Sequence, residues 1–181
     1  LAGEHNKKNA AAALVVTSLL GIPTTQAINS LNNFKGTWRR FEHKGVTKNG
    51  ATVYDDYAHH PTEIRATLSM AREMFPGKKI AVVFQPHLYS RTKDHIDEFA
   101  DTFSLADKVI VMPIYAAREA FDSSISSEML VEKISQKRPG MAQAAFSFDD
   151  AVKYSEELNS DYIIIIMGAG DIEKVAHMLV V

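Results

Sequence analysis

Asp55, Asp56, Tyr57, His59 and His60 crowd two carboxylates, an aromatic ring and two imidazoles into one short stretch, followed by Pro61, Thr62 and Glu63. A turn this polar is a candidate site, and imidazoles take up or release protons near neutral pH. The stretch closes an apolar run over 51–54 and leads into a helix-like segment. In an open α/β sheet, ligands bind just beyond the carboxyl ends of the strands. The next apolar run, 80–84, opens into Gln85, Pro86, His87, Leu88, Tyr89, Ser90, Arg91 and Thr92. A third, 162–167, ends in Gly168, Ala169, Gly170 and Asp171. Three strand ends carrying polar chemistry predict one functional rim.

Several of these groups have two readings. Adjacent His59 and His60 diverge on a strand or turn, and no His-x-x-x-His helix or cysteine supports a metal site. Hydrogen bonding or acid–base work suits them better, and no metal ligands are expected. Arg39 and Arg40 lie on opposite faces if 38–46 is a strand. One of them then faces the site, where its planar fork suits phosphate or carboxylate, or both belong to a solvated face. Arg91 opens the next expected helix, where its guanidinium and helix N–H groups could hold an anion together. His5, Asn6 and Asn9 sit near a helix start; Asn6 could simply cap it, or the two amides, one turn apart, could read an adenine edge. Gly168-Ala169-Gly170 follows a strand, but position 173 is Glu, so the third glycine of a dinucleotide fingerprint is missing. A tight structural turn is expected there. No P-loop is present; Gly77-Lys78 lacks the upstream glycine and the Ser/Thr.

These groups need a scaffold, and the composition provides one. The 181 residues are 46% hydrophobic, enough for a buried core, and carry a net charge of −2, which argues against a broad nucleic-acid surface. The absence of cysteine excludes disulfides, Cys-bound zinc and thiol catalysis, and fits a reducing compartment. The longest apolar run is too short to span a bilayer, and no signal peptide is visible, so no membrane partner is expected. The chain opens at Leu1 rather than Met, straight into a helix-like segment, as expected of a piece of a longer protein.

Helices are expected over 9–20, from Pro23 to about residue 32, and over 62–74, 92–103, 126–137, 149–158 and 171–179. Strands are expected over 38–46 and 51–57, joined across Lys48-Asn49-Gly50, and over 79–84, 108–112, 144–148 and 162–167. Alternating strands and helices predict a mostly parallel sheet covered on both faces. The run Ile163-Ile164-Ile165-Ile166 predicts a central strand.

The motifs His5-Asn-x-x-Asn9, Phe34-x-Gly36-x-x-Arg39-Arg40-Phe-Glu, Asp55-Asp56-Tyr-x-His59-His60-Pro-Thr-Glu, Phe84-Gln-Pro-His87-x-Tyr-Ser-Arg91-Thr and Gly168-Ala-Gly170 occur in this order. The chain thereby resembles the C-terminal part of the Mur ligases over essentially its whole length. The resemblance implies that residues 1–35 are the last helices of a central ATPase domain and 36–181 a Rossmann-like C-terminal domain, with the P-loop upstream. It implies a bacterial, cytoplasmic, ATP-dependent amide-forming ligase of peptidoglycan precursor synthesis, acting through an acyl phosphate. ATP and Mg²⁺ would be held mostly by upstream domains, and the partners would be UDP-N-acetylmuramate and L-alanine. His5, Asn6 and Asn9 would then contact adenine, and Arg40 and Asp56 the ATP phosphates or ribose. His59 and His60 would serve catalysis. His87, Tyr89 and Arg91 would bind the amino acid, with Arg91 on its carboxylate.

A sibling reaction, adding a whole tripeptide to UDP-N-acetylmuramate, is the alternative within the family; the His87-x-Tyr-Ser-Arg91-Thr loop favours alanine. A non-catalytic receiver-type module is the alternative outside it. Pro113 and Gly168 follow the strands where that module needs its phospho-acceptor Asp and its Lys. Ala58 stands where the family often has Gly, and the resemblance gives no role to Ile114-Tyr115-Ala116-Ala117-Arg118-Glu119.

Overall fold

The computed structural model describes residues 3–181; Leu1 and Ala2, the first residues of the expected upstream helices, lie outside the described residues. Helix α1 (Glu4–Leu19) is an alanine-rich run without breakers, closed by Gly21 at φ 72°. Pro23 then caps α2 (Thr24–Asn33). Because α1 starts at Glu4 with Gly3 as its cap, Asn6 lies inside the first turn and does not cap the helix.

The expected strand over 38–46 starts late, at β1 (Glu42–Val46). Arg39 and Phe41 have φ of 54° and 49°, which no strand tolerates. Their geometry is fixed from β2 (Thr52–Asp56): Tyr57 N–H donates to Arg39 O (2.8 Å), and Phe41 N–H donates to Asp56 Oδ2 (2.8 Å). The hairpin turns at Asn49-Gly50 as expected, with Thr47 N–H bonded to Ala51 O at 2.8 Å and Gly50 at φ 84°.

The remaining order is α3 (Pro61–Met74), β3 (Lys79–Phe84), α4 (Tyr89–Asp94), α5 (Ile96–Thr102), a 3₁₀ turn (Phe103–Leu105), β4 (Lys108–Val111), α6 (Ser127–Lys137), β5 (Ala142–Ala144), α7 (Phe148–Glu156), β6 (Tyr162–Met167) and α8 (Glu173–Leu179). The single helix expected over 92–103 is two, because His95 leaves helical geometry (φ −117°, ψ 18°) and its ring packs on His60. The strand expected over 144–148 lies earlier. Residues past Ala145 serve the start of α7, where Ser147 Oγ accepts from Asp150 N–H and Asp150 Oδ2 accepts from Phe146 N–H.

The six strands run in the order β1-β2-β6-β3-β4-β5, all parallel except β1. This is the Rossmann-like α/β class expected from sequence. Strand β6 is central, and its isoleucines alternate between two cores. Ile163 and Ile165 pack with Ile64, Leu68, Phe99 and Phe103 on one face, and Ile164 and Ile166 with Ala151, Val175 and Leu179 on the other. Helices α3, α5 and α6 therefore cover one face and α7 and α8 the opposite one. Among the described residues no helix is long and apolar enough to cross a membrane.

The registers matter most for function. Asp56, Met167, Phe84 and Val111 stand in one row across β2, β6, β3 and β4. The loops carrying the polar motifs thus leave the sheet side by side.

Candidate functional site at the carboxyl rim of the sheet

Alternation along β2 sends Asp55 and Asp56 in opposite directions, to separate tasks. Asp55 accepts from Arg39 Nε at 3.0 Å, and both side chains are buried. Arg39 also donates to Gly168 O (2.6 Å) and Gly170 O (2.9 Å) and lies 3.2 Å from Glu173 Oε2. Its guanidinium sits over the rings of Trp38 and Tyr57. Burial pushes the Asp55 carboxyl above the ordinary value even though Arg39 pulls it down. The glycine turn is a packing device, as expected. It presents carbonyls to Arg39, and a Cβ on Gly170 would come within 2.7 Å of Gln85 Oε1.

Asp56 organises the turn that follows. Its carboxylate accepts from Phe41 N–H (2.8 Å), Ala58 N–H (2.9 Å) and Thr67 Oγ1 (3.4 Å). Burial raises its pKa, against the pull of those hydrogen bonds. Arg40, unlike buried Arg39, is exposed and faces a cavity of about 1030 Å³. His5, Asn6 and Asn9 line this cavity from α1, with Arg40 and Asp56 also in its wall. Phe34, Phe41, Tyr54 and Met70 add apolar surface. All five residues expected on the nucleotide side therefore share one cavity, combining amides, a cation and flat apolar surface.

The imidazoles divide. His60 is the N-cap of α3: its Nδ1 accepts from Thr62 N–H at 3.3 Å, and its ring faces His95 at 4.9 Å. His59 turns the other way, towards His87, with ring centroids 5.6 Å apart. His59 Nδ1 lies 2.8 Å from Tyr57 O. A carbonyl can only accept, so in the neutral ring the proton is on Nδ1 and Nε2 is a free acceptor. His87 is the complement. Its Nδ1 is 3.2 Å from Arg91 Nη1, which can only donate, so the neutral ring carries its proton on Nε2. Burial, then the Arg91 cation, holds the His87 pKa below the ordinary histidine value, favouring that neutral form. An acceptor nitrogen on His59 and a donor nitrogen on His87 thus stand on neighbouring rings beside a guanidinium. Tyr89 lies edge-on to Phe121. The rim brings His59, His87 and Arg91 together, while His60 contacts His95 and Tyr89 contacts Phe121.

The expected partnership between Arg91 and helix N–H groups is not present. Arg91 is the third residue of α4, and the Ser90 N–H is already bonded to Glu119 Oε2 at 3.1 Å. Arg91 instead rests on His87.

Glu63 was legible but overlooked. Its Oε2 accepts from His59 N–H (3.0 Å) and His60 N–H (3.2 Å), completing a capping box whose spacing, His60-x-x-Glu63, is visible in sequence. It also lines the cavity, so it links the cavity wall to the backbone of His59 and His60. Tyr115, stacked on His87 with centroids 5.8 Å apart, and Glu119 gave no local signal. Among the described residues no three His, Asp or Glu side chains converge as a metal site.

Residues 39–170 match the family model "Mur ligase, glutamate ligase domain". A UDP-N-acetylmuramate–L-alanine ligase from Lachnospira eligens is 50% identical over 98% of the chain, which covers 38% of that protein. The crystal structure of a UDP-N-acetylmuramate–alanine ligase from Thermotoga maritima superposes with a TM-score of 0.80 at 30% identity, over 98% of this chain and 37% of that one. A murein peptide ligase from Psychrobacter arcticus superposes with a TM-score of 0.70 at 27% identity, over 99% of this chain and 37% of that one. The chain thus spans well under half the length of these relatives.

Proposed function

Since the chain belongs to the Mur ligase family, we propose that it is the C-terminal part of an ATP-dependent ligase joining L-alanine to UDP-N-acetylmuramate in the bacterial cytoplasm. Residues 1–35 are then the end of a central ATPase domain and 36–181 the C-terminal domain. The helices support this division: no residue of α1 is buried, and Leu19 is 83% exposed. The alanine-adding reaction is favoured over tripeptide addition by identities of 42% and 50% to alanine ligases over 98% of the chain.

The observation that carries the proposal is the adjacency of two unlike sites across Glu63. One is the cavity of His5, Asn6, Asn9, Arg40 and Asp56. Its amides and flat apolar walls suit a purine, and Arg40 suits phosphate oxygens or ribose. The other is the cleft of His59, His87 and Arg91. ATP supplies the phosphoryl group that activates the UDP-N-acetylmuramate carboxylate. Mg²⁺ would be held with the ATP phosphates mostly by the upstream domains, where it would offset their charge during phosphoryl transfer. Arg91 offers its planar fork to the alanine carboxylate, and His87 adds an Nε2–H donor. With the carboxylate fixed, His59 Nε2 takes a proton from the ammonium group. The freed amine attacks the acyl carbon, the carbon–oxygen bond to phosphate breaks, and the amine's second proton leaves with the departing phosphate. Positioning carries much of such a rate enhancement.

The test is Arg91→Ala in the full-length ligase. The KM for L-alanine should rise roughly ten- to a hundredfold, from loss of a charge-assisted contact of about 1.5–3 kcal/mol. The KM for ATP should hardly change, and Arg91→Lys should recover only part of the loss, because an ammonium lacks the fork. An unchanged alanine KM with impaired ATP use would place Arg91 at the wrong substrate.

A further inference from the structure

We propose that Glu119, on the loop after β4, is a positioning residue that presents Arg91 to the amino-acid carboxylate; this rests on the ligase function above. Helix α4 has only six residues, and its N-cap, Leu88, makes no side-chain cap bond and has φ 73°. So short a helix does not hold its own first turn. Glu119 supplies what is missing. Its carboxylate accepts from both the backbone N–H and the hydroxyl of Ser90, the residue before Arg91. The Ser90 hydroxyl bond also keeps the Glu119 carboxyl below the ordinary range, so it is ionised there.

The loop is built to deliver this group. Glu119 N–H closes a turn onto Ala116 O (2.9 Å), and within it Ala117 adopts φ 52°. A left-handed residue without glycine persists only where its surroundings enforce it. Here several of the surrounding contacts run to the segment carrying His87 and Arg91. Leu88 N–H donates to Tyr115 O (2.9 Å), and Tyr115 N–H donates to Pro86 O (2.8 Å). Lys93 Nζ donates to Ser124 Oγ (2.8 Å), and the Tyr115 ring stacks on His87. Two strained residues, Leu88 and Ala117, thus sit on segments that brace each other. By occupying the Ser90 N–H, Glu119 also leaves Arg91 as the anion-binding group of this turn.

The experiment compares Glu119→Ala, Glu119→Gln, Arg91→Ala and the double alanine variant in the full-length ligase, reading kcat and both KM values. Glu119→Ala should raise the KM for L-alanine roughly fivefold, as for a lost helix cap, with kcat and the KM for ATP changed far less. Glu119→Gln, which keeps an acceptor for the Ser90 N–H, should recover most of the loss. On the Arg91→Ala background, Glu119→Ala should add almost nothing, because residues acting through one another are not additive. If Arg91→Ala raises the alanine KM and Glu119→Ala does not, the inference fails while the ligase function stands. The inference also fails if Glu119→Ala degrades alanine and ATP use equally, or if the double variant is simply additive. If Arg91→Ala itself leaves the alanine KM unchanged, the placement of the amino acid fails first, and this inference with it.

Discussion

His59→Ala in the full-length ligase should lower kcat about 100- to 10,000-fold, the usual contribution of a positioned general base. His59 is singled out by its hydrogen bonds. Nδ1 is committed to Tyr57 O, so Nε2 remains free to accept a proton, whereas His87 offers a donor and His60 is engaged as a cap. The loss should fall on amide formation alone. With ATP and UDP-N-acetylmuramate, the variant should still form an acyl phosphate that hydroxylamine traps as a hydroxamate. His60→Ala should behave differently, costing about 1 kcal/mol of stability as a lost N-cap while retaining most of kcat. Equal losses at both positions would mean that the two histidines share the chemistry. An intact kcat in His59→Ala would remove it from the mechanism.

Arg39→Ala should destabilise the chain by about 3–5 kcal/mol, the typical result of removing one partner of a buried ion pair. The side chains of Arg39 and Asp55 are 3% and 0% exposed. Truncation would leave the Asp55 carboxylate buried without a cation, Glu173 without its ion-pair partner, and the Gly168 and Gly170 carbonyls without donors. Arg39→Lys should rescue little, since one ammonium cannot replace the fork's three hydrogen bonds to Asp55, Gly168 and Gly170. The pH dependence has a definite sign. The folded-state pKa of Asp55 already lies above its ordinary value of 3.8, and losing Arg39 raises it further. The deficit should therefore be largest near neutral pH and shrink as falling pH protonates Asp55 in both proteins. Denaturant unfolding of both proteins at several pH values measures this. A deficit under about 1 kcal/mol, typical of an exposed pair, would mean that Arg39 is not the rivet of the rim.

Much of this was legible where the signal is local. Four consecutive isoleucines marked the central strand, and Asn49-Gly50 marked the hairpin turn. Polar residues at three strand ends marked the rim, because parallel strands in register bring their following loops together. Failures came where a distant residue fixes the backbone. Nothing in the run of Arg39, Arg40 and Phe41 announces positive φ; Asp56 and Tyr57 impose it through bonds to that backbone. Likewise α4 owes its first turn to Glu119, 29 residues from Ser90, so a helix start with open N–H groups was a fair but incorrect expectation. The division between Arg39 and Arg40 followed from that same turn rather than from strand alternation. The capping role of His60 was hard to read for a different reason. Its capping box with Glu63 was present in the spacing, but histidine is an uncommon cap beside Ser, Thr, Asp and Asn.

The most direct measurement is phosphate release by the full-length protein with ATP, Mg²⁺ and UDP-N-acetylmuramate, supplied with L-alanine, with the L-alanyl-led tripeptide, or with neither. Sustained release and a new amide-linked product are expected with L-alanine only. Preferential use of the tripeptide, or no turnover with either while UDP-N-acetylmuramate and ATP both bind, would contradict it.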